Sequence, residues 1–308
     1  LLKLPFSHYP DKEVSFFEAL FTATSAVTVT GLSIVDIGAV YTGFGKFILL
    51  ILIQFGGLGV LTISSVFVLL IAKRIGFYTK RLVAEELNHN KMYDIYTVTK
   101  RVVFITLLFE AIGAVLLFGS FIQDYSFFQA LFMSVFHSVS AFCNAGIALF
   151  PHSFEGYTYN VYVNLIIAFL IIFGGVGFTT IIQAGEYLQH KRRRLDINSQ
   201  FSILMTIVLL LAGTLLFFTL EYKNYHTLYG KGLFNQLLIS FFHSVSLRTA
   251  GFDTIPLEHL GSATILFCVT FMFIGASPNS TGSGVKTTTI GILFLGIKTA
   301  LLNKNYIE

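Results

Sequence analysis

The sequence of 308 residues lacks tryptophan and has few cysteines, prolines and charged residues. Charged residues make up only 12% of the chain and apolar residues 55%, whereas a soluble domain averages roughly a quarter charged. This shortage of polar side chains excludes a typical cytosolic enzyme, a disordered chain and a coiled coil. Cys143 and Cys268 both lie in apolar stretches, so they predict no disulfide framework.

Long apolar runs predict an all-α membrane protein. They occupy 47–72, 102–121, 161–184 and 201–220, and a fifth run at 263–275 is interrupted and resumes at 290–302. About 20 helical residues cross the hydrocarbon core of a bilayer. The first four runs are therefore long enough to span a membrane, and the fifth is broken.

Basic residues are concentrated in the segments 73–101 and 191–194 and at Lys298 and Lys304. The loops at the other ends of the apolar runs carry fewer Lys and Arg and more Asp and Glu. The positive-inside bias places the basic segments in the cytoplasm. Beyond topology, two interpretations stay open, contact with anionic lipid of the bilayer or docking of a cytosolic regulator; nucleic-acid binding is not indicated.

Three short amphipathic segments, at 16–25, 130–140 and 238–246, precede apolar runs and are too short to span. Each is followed by a turn of small residues, and the turns read Thr28-Val29-Thr30-Gly31, Cys143-Asn144-Ala145-Gly146 and Arg248-Thr249-Ala250-Gly251. A second motif of small residues recurs after each turn, in the same order, at Gly56-Gly57-Leu58-Gly59, Gly174-Gly175-Val176-Gly177 and Gly275-Ala276. We therefore expect a repeated unit of spanning helix, half-helix, glycine turn and spanning helix about an axis along the membrane normal.

The glycine turns are candidates for an ion path. Non-helical backbone at membrane depth is tolerated only where protein buries it or where it lines a watery cavity. The negative, C-terminal end of a half-helix favours a cation there, and backbone carbonyl oxygens can replace the hydration shell of potassium. The predicted ion-binding residues are Thr28, Val29, Thr30, Gly31, Cys143, Asn144, Ala145, Gly146, Thr249, Ala250 and Gly251.

These turns, followed by a polar stretch, resemble the Trk/Ktr/HKT superfamily of potassium transporters and are most similar to its Ktr-type bacterial membrane subunit. The stretch reads Gly275-Ala276-Ser277-Pro278-Asn279-Ser280-Thr281-Gly282-Ser283-Gly284-Val285-Lys286. The resemblance implies that this stretch is an intramembrane gate loop and that Gly31, Gly146 and Gly251 are filter glycines. It also implies potassium selectivity, because the family has serine in place of Gly31 in sodium-selective members.

Family members have four helix, pore-loop, helix repeats around a pseudo-fourfold pore, of which three are visible here. The implied division is repeat 1 at 1–72, a cytoplasmic loop at 73–100, repeat 2 at 101–184, a second loop at 185–200 and repeat 3 at 201–308. We therefore expect a fragment without most of the first outer helix and without the fourth repeat. Such a fragment alone is not expected to conduct selectively.

The resemblance further implies potassium uptake across the cell membrane and a homodimer of membrane subunits. It implies a ring of cytosolic nucleotide-binding regulatory subunits as well, since this chain has no nucleotide fold and no organic cofactor is expected in it. Potassium is the expected transported ion, with sodium as the candidate coupling ion. Two alternatives stay open, namely a sodium-selective or mixed-cation member and a non-conducting membrane scaffold. No nucleophile, base and orienting acid occur together, so an enzyme is not predicted.

Three charged residues in apolar surroundings require an interpretation. Glu110 either hydrogen-bonds a neighbouring helix or takes part in ion coupling. Arg248 precedes the third glycine and is expected to pair with an acidic group behind the filter. Lys286 either tethers the gate loop or places a positive barrier in the path, and the sequence leaves both open.

Two other patterns are interpreted as structural. His137 and His243 occupy matching places in two half-helices, and because no further ligands stand at metal-binding spacing, packing of hydrogen-bonded imidazoles is expected. The segment 282–287 is similar to a phosphate-binding loop, but Val285 stands where that motif requires glycine before lysine. Nucleotide binding by this loop is therefore not predicted.

Overall fold

The computed structural model describes residues 1–59, 95–190 and 193–301. This part of the chain is helical and holds no strand, only the isolated bridges between His8 and Tyr41 and between Ile274 and Val285. The all-α prediction is therefore confirmed. Most of the predicted cytoplasmic loop at 73–100 lies outside the described residues, as do Lys191 and Lys304.

The helices are α1 Phe16–Val27, α2 Ile37–Val40, α3 Gly43–Leu58, α4 Ile95–Phe121, α5 Phe127–Phe142, α6 Val161–Val176, α7 Phe178–Leu188, α8 Ile197–Glu221, α9 Leu233–Ser246, α10 Ser262–Phe273 and α11 Thr287–Leu301. The predicted half-helices are α1, α5 and α9. The predicted outer helices are α4 and α8. The inner helices begin as α3, α6 and α10.

Several helices begin at side chains that cap their free N–H groups. Ser15 and Glu18 form a reciprocal capping box at the start of α1. Thr42 accepts from the N–H of Gly45 at the start of α3, and Asn160 accepts from the N–H of Val163 at the start of α6, at 3.1 Å. These caps fix where the chain turns back towards the membrane after an external loop.

Among the described residues, Val98–Phe121 and Ile197–Glu221 are long and apolar enough to cross a bilayer. The helices α6 and α7 are together long and apolar enough for a further span, but they meet at an angle of 99°. The run at 161–184, which we expected to be long enough to span, is thus divided into two helices. The bend lies at Gly177, whose φ of +100° ends α6.

The bend at Gly177 has a partner on another segment. A Cβ at this position would lie 2.4 Å from the carbonyl oxygen of Pro278, and the N–H of Phe178 donates to the carbonyl of Asn279 at 2.7 Å. Gly59, with φ of +79°, ends α3 in the same way, and the rest of the predicted run to 72 lies outside the described residues.

Outer helices and half-helices approach closely at small residues. Ser138 on α5 donates its hydroxyl to the carbonyl of Glu110 on α4 at 2.6 Å, and Ser244 on α9 donates to the carbonyl of Leu210 on α8 at 2.9 Å. Gly113 and Gly213 allow the serine hydroxyls to approach this closely. A Cβ on Gly113 would lie 2.4 Å from the hydroxyl oxygen of Ser138, and one on Gly213 would lie 2.3 Å from that of Ser244. The helices α5 and α9 are thus fastened to α4 and α8 by the same kind of contact.

The end of α8 is tied to the start of α10 through one carboxylate. Glu221 is fully buried and accepts hydrogen bonds from Thr227, from Asn224 and from the N–H of Gly261. It also accepts from the hydroxyl of Thr264 in the first turn of α10. The four donors hold the external end of repeat 3 together.

We predict that Glu221→Ala destabilises the protein by about 3 kcal/mol, because four buried donors lose their acceptor. The thermal midpoint of unfolding in detergent, followed by size-exclusion chromatography after heating, should fall by about 5 °C or more. Glu258→Ala is the matched control, since the Glu258 side chain is 79% exposed. Equal midpoints for the two variants would contradict the structural role of Glu221.

Candidate functional site

The three glycine turns have the same backbone conformation. Each follows directly on a half-helix, α1, α5 or α9, and each has a left-handed residue two positions before a left-handed glycine. The left-handed pairs are Val29 with Gly31, Asn144 with Gly146 and Thr249 with Gly251, with φ between +54° and +82°. Positive φ is rare outside glycine, so its recurrence at Val29, Asn144 and Thr249 marks these turns as equivalent.

In each turn an N–H group donates to a serine carbonyl at the end of the half-helix. The N–H of Thr30 donates to the carbonyl of Ser25 at 3.0 Å, that of Ala145 to Ser140 at 2.8 Å and that of Gly251 to Ser246 at 3.2 Å. The hydroxyl of Ser140 donates to the carbonyl of Ile147 at 2.7 Å, and that of Ser246 to Phe252 at 2.5 Å.

Ser140 and Ser246 thereby position the residue that follows the glycine in the second and third turns. Sequence analysis noted these serines inside the repeated segments and assigned them no role. Their recurrence at the end of each half-helix was the available signal. A serine hydroxyl so close to a turn commonly bonds to the backbone of the turn.

The carbonyl oxygens of the turns have no hydrogen-bond donor. Within the described residues, nothing donates to the carbonyls of Val29 to Gly31, Asn144 to Gly146 or Thr249 to Gly251. The second turn is nevertheless fully buried, with Asn144 1% and Ala145 0% exposed. Buried backbone carbonyls are almost always paired in proteins, so these oxygens form an unusual set of free ligands.

The turns lie next to one another in chain order. A Cβ on Gly31 would lie 2.7 Å from the carbonyl oxygen of Ala145, and one on Gly146 would lie 2.2 Å from that of Ala250. A Cβ on Gly251 would have only the Cα of Gly146 within 4 Å. In the part of the chain that the structure describes, the turns therefore form an arc centred on Gly146 and not a closed ring.

A cavity of about 400 Å³ opens on one side of the arc. Its lining includes all three glycines, Gly31, Gly146 and Gly251, together with Asp36 and Asp253. The loops that line it follow the glycine turns and precede the inner helices. We call this cavity the vestibule, and the topology predicted from charge makes it external.

The gate loop packs against the other side of the turns. The N–H groups of Ser277 and Thr281 donate to the carbonyls of Gly175 and Gly174, at 2.9 Å and 3.2 Å. These carbonyls lack helical partners because α6 ends at Val176. The carbonyl groups left free where α6 ends are thus paired with N–H groups of the segment between α10 and α11.

Two residues of the gate loop touch the filter turns. The hydroxyl of Thr281 donates to the carbonyl of Phe142, the last residue of α5, at 2.9 Å. A Cβ on Gly282 would lie 2.5 Å from the hydroxyl oxygen of Thr249 and 3.1 Å from the amide of Asn144. Glycine at 282 therefore allows direct contact between the loop and the second and third turns.

Lys286 lies at the end of the gate loop and donates its ammonium to the carbonyl of Gly282 at 2.9 Å. The N–H of Gly275 donates to the carbonyl of Val285 at 2.9 Å, which closes the loop at its base. This contact favours the tether interpretation of Lys286 over the barrier interpretation.

Arg248 is 3% exposed and donates to the hydroxyl of Thr206 on α8 at 3.4 Å. Its Nε atom has no partner within the described residues. The predicted acidic partner is not found there either: no carboxylate of 1–59, 95–190 or 193–301 pairs with this guanidinium. The guanidinium contacts α8 instead, because Thr206 on that helix offers a hydroxyl within reach.

Glu110 lies behind the second turn. The thiol of Cys143 donates to its Oε1 atom at 3.7 Å, and Glu110 is 5% exposed. Cys143 thus contributes its side chain as well as its backbone, which sequence analysis did not expect. The contact joins α4 to the filter turn and supports the structural interpretation of Glu110.

Both half-helix histidines are hydrogen-bonded. His137 contacts the carbonyl of Met133 through Nδ1 at 2.8 Å and accepts from the N–H of Leu149 through Nε2 at 3.0 Å. His243 contacts the hydroxyl of Thr254 at 3.3 Å. Among the described residues no group of three or more His, Cys, Asp and Glu side chains could hold a metal ion, so the packing interpretation agrees with the structure.

Residues 3–305 match the TrkH family, described as a cation transport protein. The chain belongs to this family. It is 37% identical over 297 residues to the Ktr system potassium uptake protein B of Vibrio alginolyticus, covering 96% of this chain and 65% of that protein. It is 35% identical over 309 residues to the potassium/sodium uptake protein NtpJ of Enterococcus hirae, covering 100% of this chain and 68% of the relative.

The fold is also that of a solved TrkH family structure. The crystal structure of the potassium transporter TrkH from Vibrio parahaemolyticus matches with a TM-score of 0.71 at 21% identity, covering 96% of this chain and 58% of that one. This likeness shows the fold. The chain spans about two thirds of the length of the curated relatives that it matches.

We predict that Gly146→Ala destabilises the TrkH family fold by about 2 kcal/mol or more. A Cβ at φ of +65° would be strained and would lie 2.2 Å from the carbonyl of Ala250. The thermal midpoint in detergent measures the effect. Gly185→Ala on α7 is the control, since nothing lies within 4 Å of its Cβ; a Gly146 variant as stable as this control would contradict the close approach of the turns.

Proposed function

We propose that the full-length protein takes up potassium across the cell membrane through a pore whose selectivity filter is formed by the carbonyl oxygens of the glycine turns. The observation that supports this most directly is the set of carbonyls without donors at Val29 to Gly31, Asn144 to Gly146 and Thr249 to Gly251. A dehydrated cation is the partner that such oxygens would satisfy.

The surroundings of these carbonyls favour a cation. Three half-helices, α1, α5 and α9, end at the turns, so the negative ends of their dipoles face the same place. The two cationic side chains nearest to the turns, Arg248 and Lys286, are directed to Thr206 and to the carbonyl of Gly282. Their charges are thus held by other oxygens and not by the free carbonyls.

A closed filter needs a fourth turn beside Gly251 and Gly31. We propose that a fourth repeat of the full-length protein supplies it and completes a pseudo-fourfold pore, with repeats 1 to 3 divided as the sequence predicts. The open arc of the described turns leaves room at this place. On this proposal the present chain alone does not conduct selectively.

We propose that the gate loop from Gly275 to Lys286 is the barrier on the cytoplasmic side of the filter. It contacts the second and third turns through Thr281 and Gly282. Its anchors are backbone hydrogen bonds to Gly174 and Gly175, which can break and re-form as the loop moves. A displacement of the loop would clear the space directly below Asn144 and Thr249.

The proposed assembly is a homodimer with a ring of cytosolic nucleotide-binding subunits, and sodium is the proposed coupling ion. Two relatives carry names that bear on this, a protein of a Ktr system and a potassium/sodium uptake protein. The described cytoplasmic ends of α4 and α7 are joined by Arg101 and Glu186, with Nη1 and Oε1 at 2.6 Å. This joined surface is where a regulator would dock.

A mixed-cation transporter is the second candidate function. The observation in its favour is the relative from Enterococcus hirae, whose name includes both potassium and sodium and which aligns over 100% of this chain. Of the potassium-selective and the mixed-cation candidates, the glycine at position 31 favours the potassium-selective one. The non-conducting scaffold has no observation of its own in support.

We predict that rubidium uptake into proteoliposomes holding the full-length protein is suppressed by excess potassium and not by sodium or lithium. Gly31→Ser should reduce the preference for potassium over sodium roughly tenfold, equivalent to about 1.4 kcal/mol. The physical reason is the φ of +81° at Gly31 and the carbonyl of Ala145 only 2.7 Å from a Cβ there, which together displace the filter oxygens.

Gly232→Ser is the matched control for this substitution, because nothing lies within 4 Å of its Cβ. Equal suppression of the wild type by sodium and potassium would favour the mixed-cation candidate. Absence of uptake with every cation, including in the presence of a cytosolic partner, would favour the scaffold. Unchanged selectivity in the Gly31 variant would remove Gly31 from the filter.

We predict that Thr281→Val raises uptake in the absence of any regulator about fivefold. The variant loses the hydrogen bond from the Thr281 hydroxyl to the carbonyl of Phe142, which holds the gate loop against the filter and contributes about 1 kcal/mol. Initial rates of rubidium uptake at equal protein content measure the change.

Thr270→Val is the matched control for the loop variant. The hydroxyl of Thr270 donates to the carbonyl of Leu266 within α10 at 2.8 Å and touches neither the loop nor the filter. Its uptake should equal that of the wild type. The gate proposal fails if Thr281→Val also leaves the basal rate unchanged while the protein is folded and inserted.

A further inference from the structure

Asp253 lies two residues after the third filter glycine, between two cavities. It lines the vestibule of about 400 Å³ together with Gly31, Gly146 and Gly251. It also lines an outer cavity of about 490 Å³ together with Glu155 and Glu258. Among the described residues Asp253 is therefore the carboxylate that lines both cavities.

A loop of repeat 2 holds Asp253 in place through its backbone. The N–H of Phe154 donates to the carbonyl of Asp253 at 2.8 Å, and the N–H of Asp253 donates to the hydroxyl of Ser153 at 3.1 Å. The Phe154 ring packs edge to face on Phe252, with centroids 5.3 Å apart. We call these contacts the 153–253 clamp.

The clamp stores backbone strain. His152 and Ser153 both have positive φ, of +59° and +53°, which costs about 1 to 3 kcal/mol per residue. Thr254, the residue after Asp253, is held as well, because the hydroxyl of Thr158 donates to its carbonyl at 2.5 Å. Such strain persists only where surrounding contacts over-determine the loop, so the position of Asp253 is well defined.

The carboxylate of Asp253 is free to meet a cation. Across the described ranges no side chain or backbone group bonds or pairs with it. The charged and titratable groups that share its two cavities are Asp36, His152, Glu155 and Glu258. Among them Asp36 already accepts from the N–H of Ala39 as the cap of α2, so Asp253 is the carboxylate of the vestibule without a partner in the described chain.

We propose that Asp253 draws cations from the outer solution into the vestibule above the filter, and that Ser153 is the positioning residue that holds it there. The proposal rests on the proposed function, since it concerns the same path. A fixed negative charge at a narrow, protein-lined mouth raises the local cation concentration and the rate of encounter. The effect appears in the apparent KM for the ion and weakens as salt screens the charge.

The test is rubidium uptake by the full-length protein with Asp253→Asn at pH 8. That pH keeps the carboxyl of the wild type ionised, since burial and the charge of Glu155 raise the pKa of Asp253 to about 7. At an ionic strength of about 0.01 M we expect the apparent KM to rise roughly three- to tenfold with kcat within twofold. At about 0.15 M the ratio of the two KM values should fall to less than twofold.

Glu258→Gln is the matched control, because it removes the same charge from the outer cavity and does not line the vestibule. Its KM should stay within twofold of the wild type. Ser153→Ala should raise KM in the same salt-dependent way, and Ser153→Asn, which tolerates the positive φ of this position and keeps an oxygen acceptor, should restore it. A fall in kcat that salt does not change would indicate a merely structural role and would overturn the proposal.

A chemical test separates charge from shape in one variant. In Asp253→Cys the thiolate attacks a methanethiosulfonate reagent, releases its sulfinate and forms a mixed disulfide that carries the charge of the reagent. A negatively charged reagent should restore a low KM and a positively charged one should raise KM further, while the treated wild type is unchanged. Equal effects of the two reagents would overturn the proposal, whereas a wild type without uptake would count against the proposed function itself.

Discussion

The structure depends on one constraint, the pairing of backbone polar groups at membrane depth. Lipid offers neither donor nor acceptor, so non-helical backbone must find its partners inside the protein. The three glycine turns meet this constraint only for some of their backbone groups. In each turn an N–H group bonds to the end of the half-helix, at Ser25, Ser140 or Ser246, while no donor within the described residues reaches the carbonyls from Val29 to Gly31 or at the matching positions of the other two turns. This asymmetry is what supports the proposed path for cations.

The same constraint explains how the inner helices break. Ending α6 at Gly177 frees carbonyls at Gly174 and Gly175, and the interruption of the next inner helix supplies the N–H groups of Ser277 and Thr281 to them. Neither break would be stable at this depth without the other. The loop from Gly275 to Lys286 therefore supports the end of α6, and the proposed movement of this loop would break these hydrogen bonds.

Charges in the described core are placed beside the path and not in it. Glu110 contacts the thiol of Cys143 from behind the second turn, and Arg248 extends to Thr206 on an outer helix. Outside the filter the sign of the exposed charge matters instead, since Asp36 and Asp253 line the vestibule. Carbonyl oxygens at the turns with acidic groups at the mouth are what the proposed passage of a dehydrated cation would require.

The sequence by itself determined the features that depend on local pattern. Apolar length predicted the outer helices, and the recurring small residues predicted the three turns and the interruption at 275–286. Tertiary structure decided the 99° bend at Gly177 and the serine contacts of the turns. A glycine alone is tolerated within an apolar helix; it becomes a break here because Pro278 and Asn279, distant in sequence, dock against it. The partner of Arg248 was likewise set by packing against α8, which no local pattern encodes.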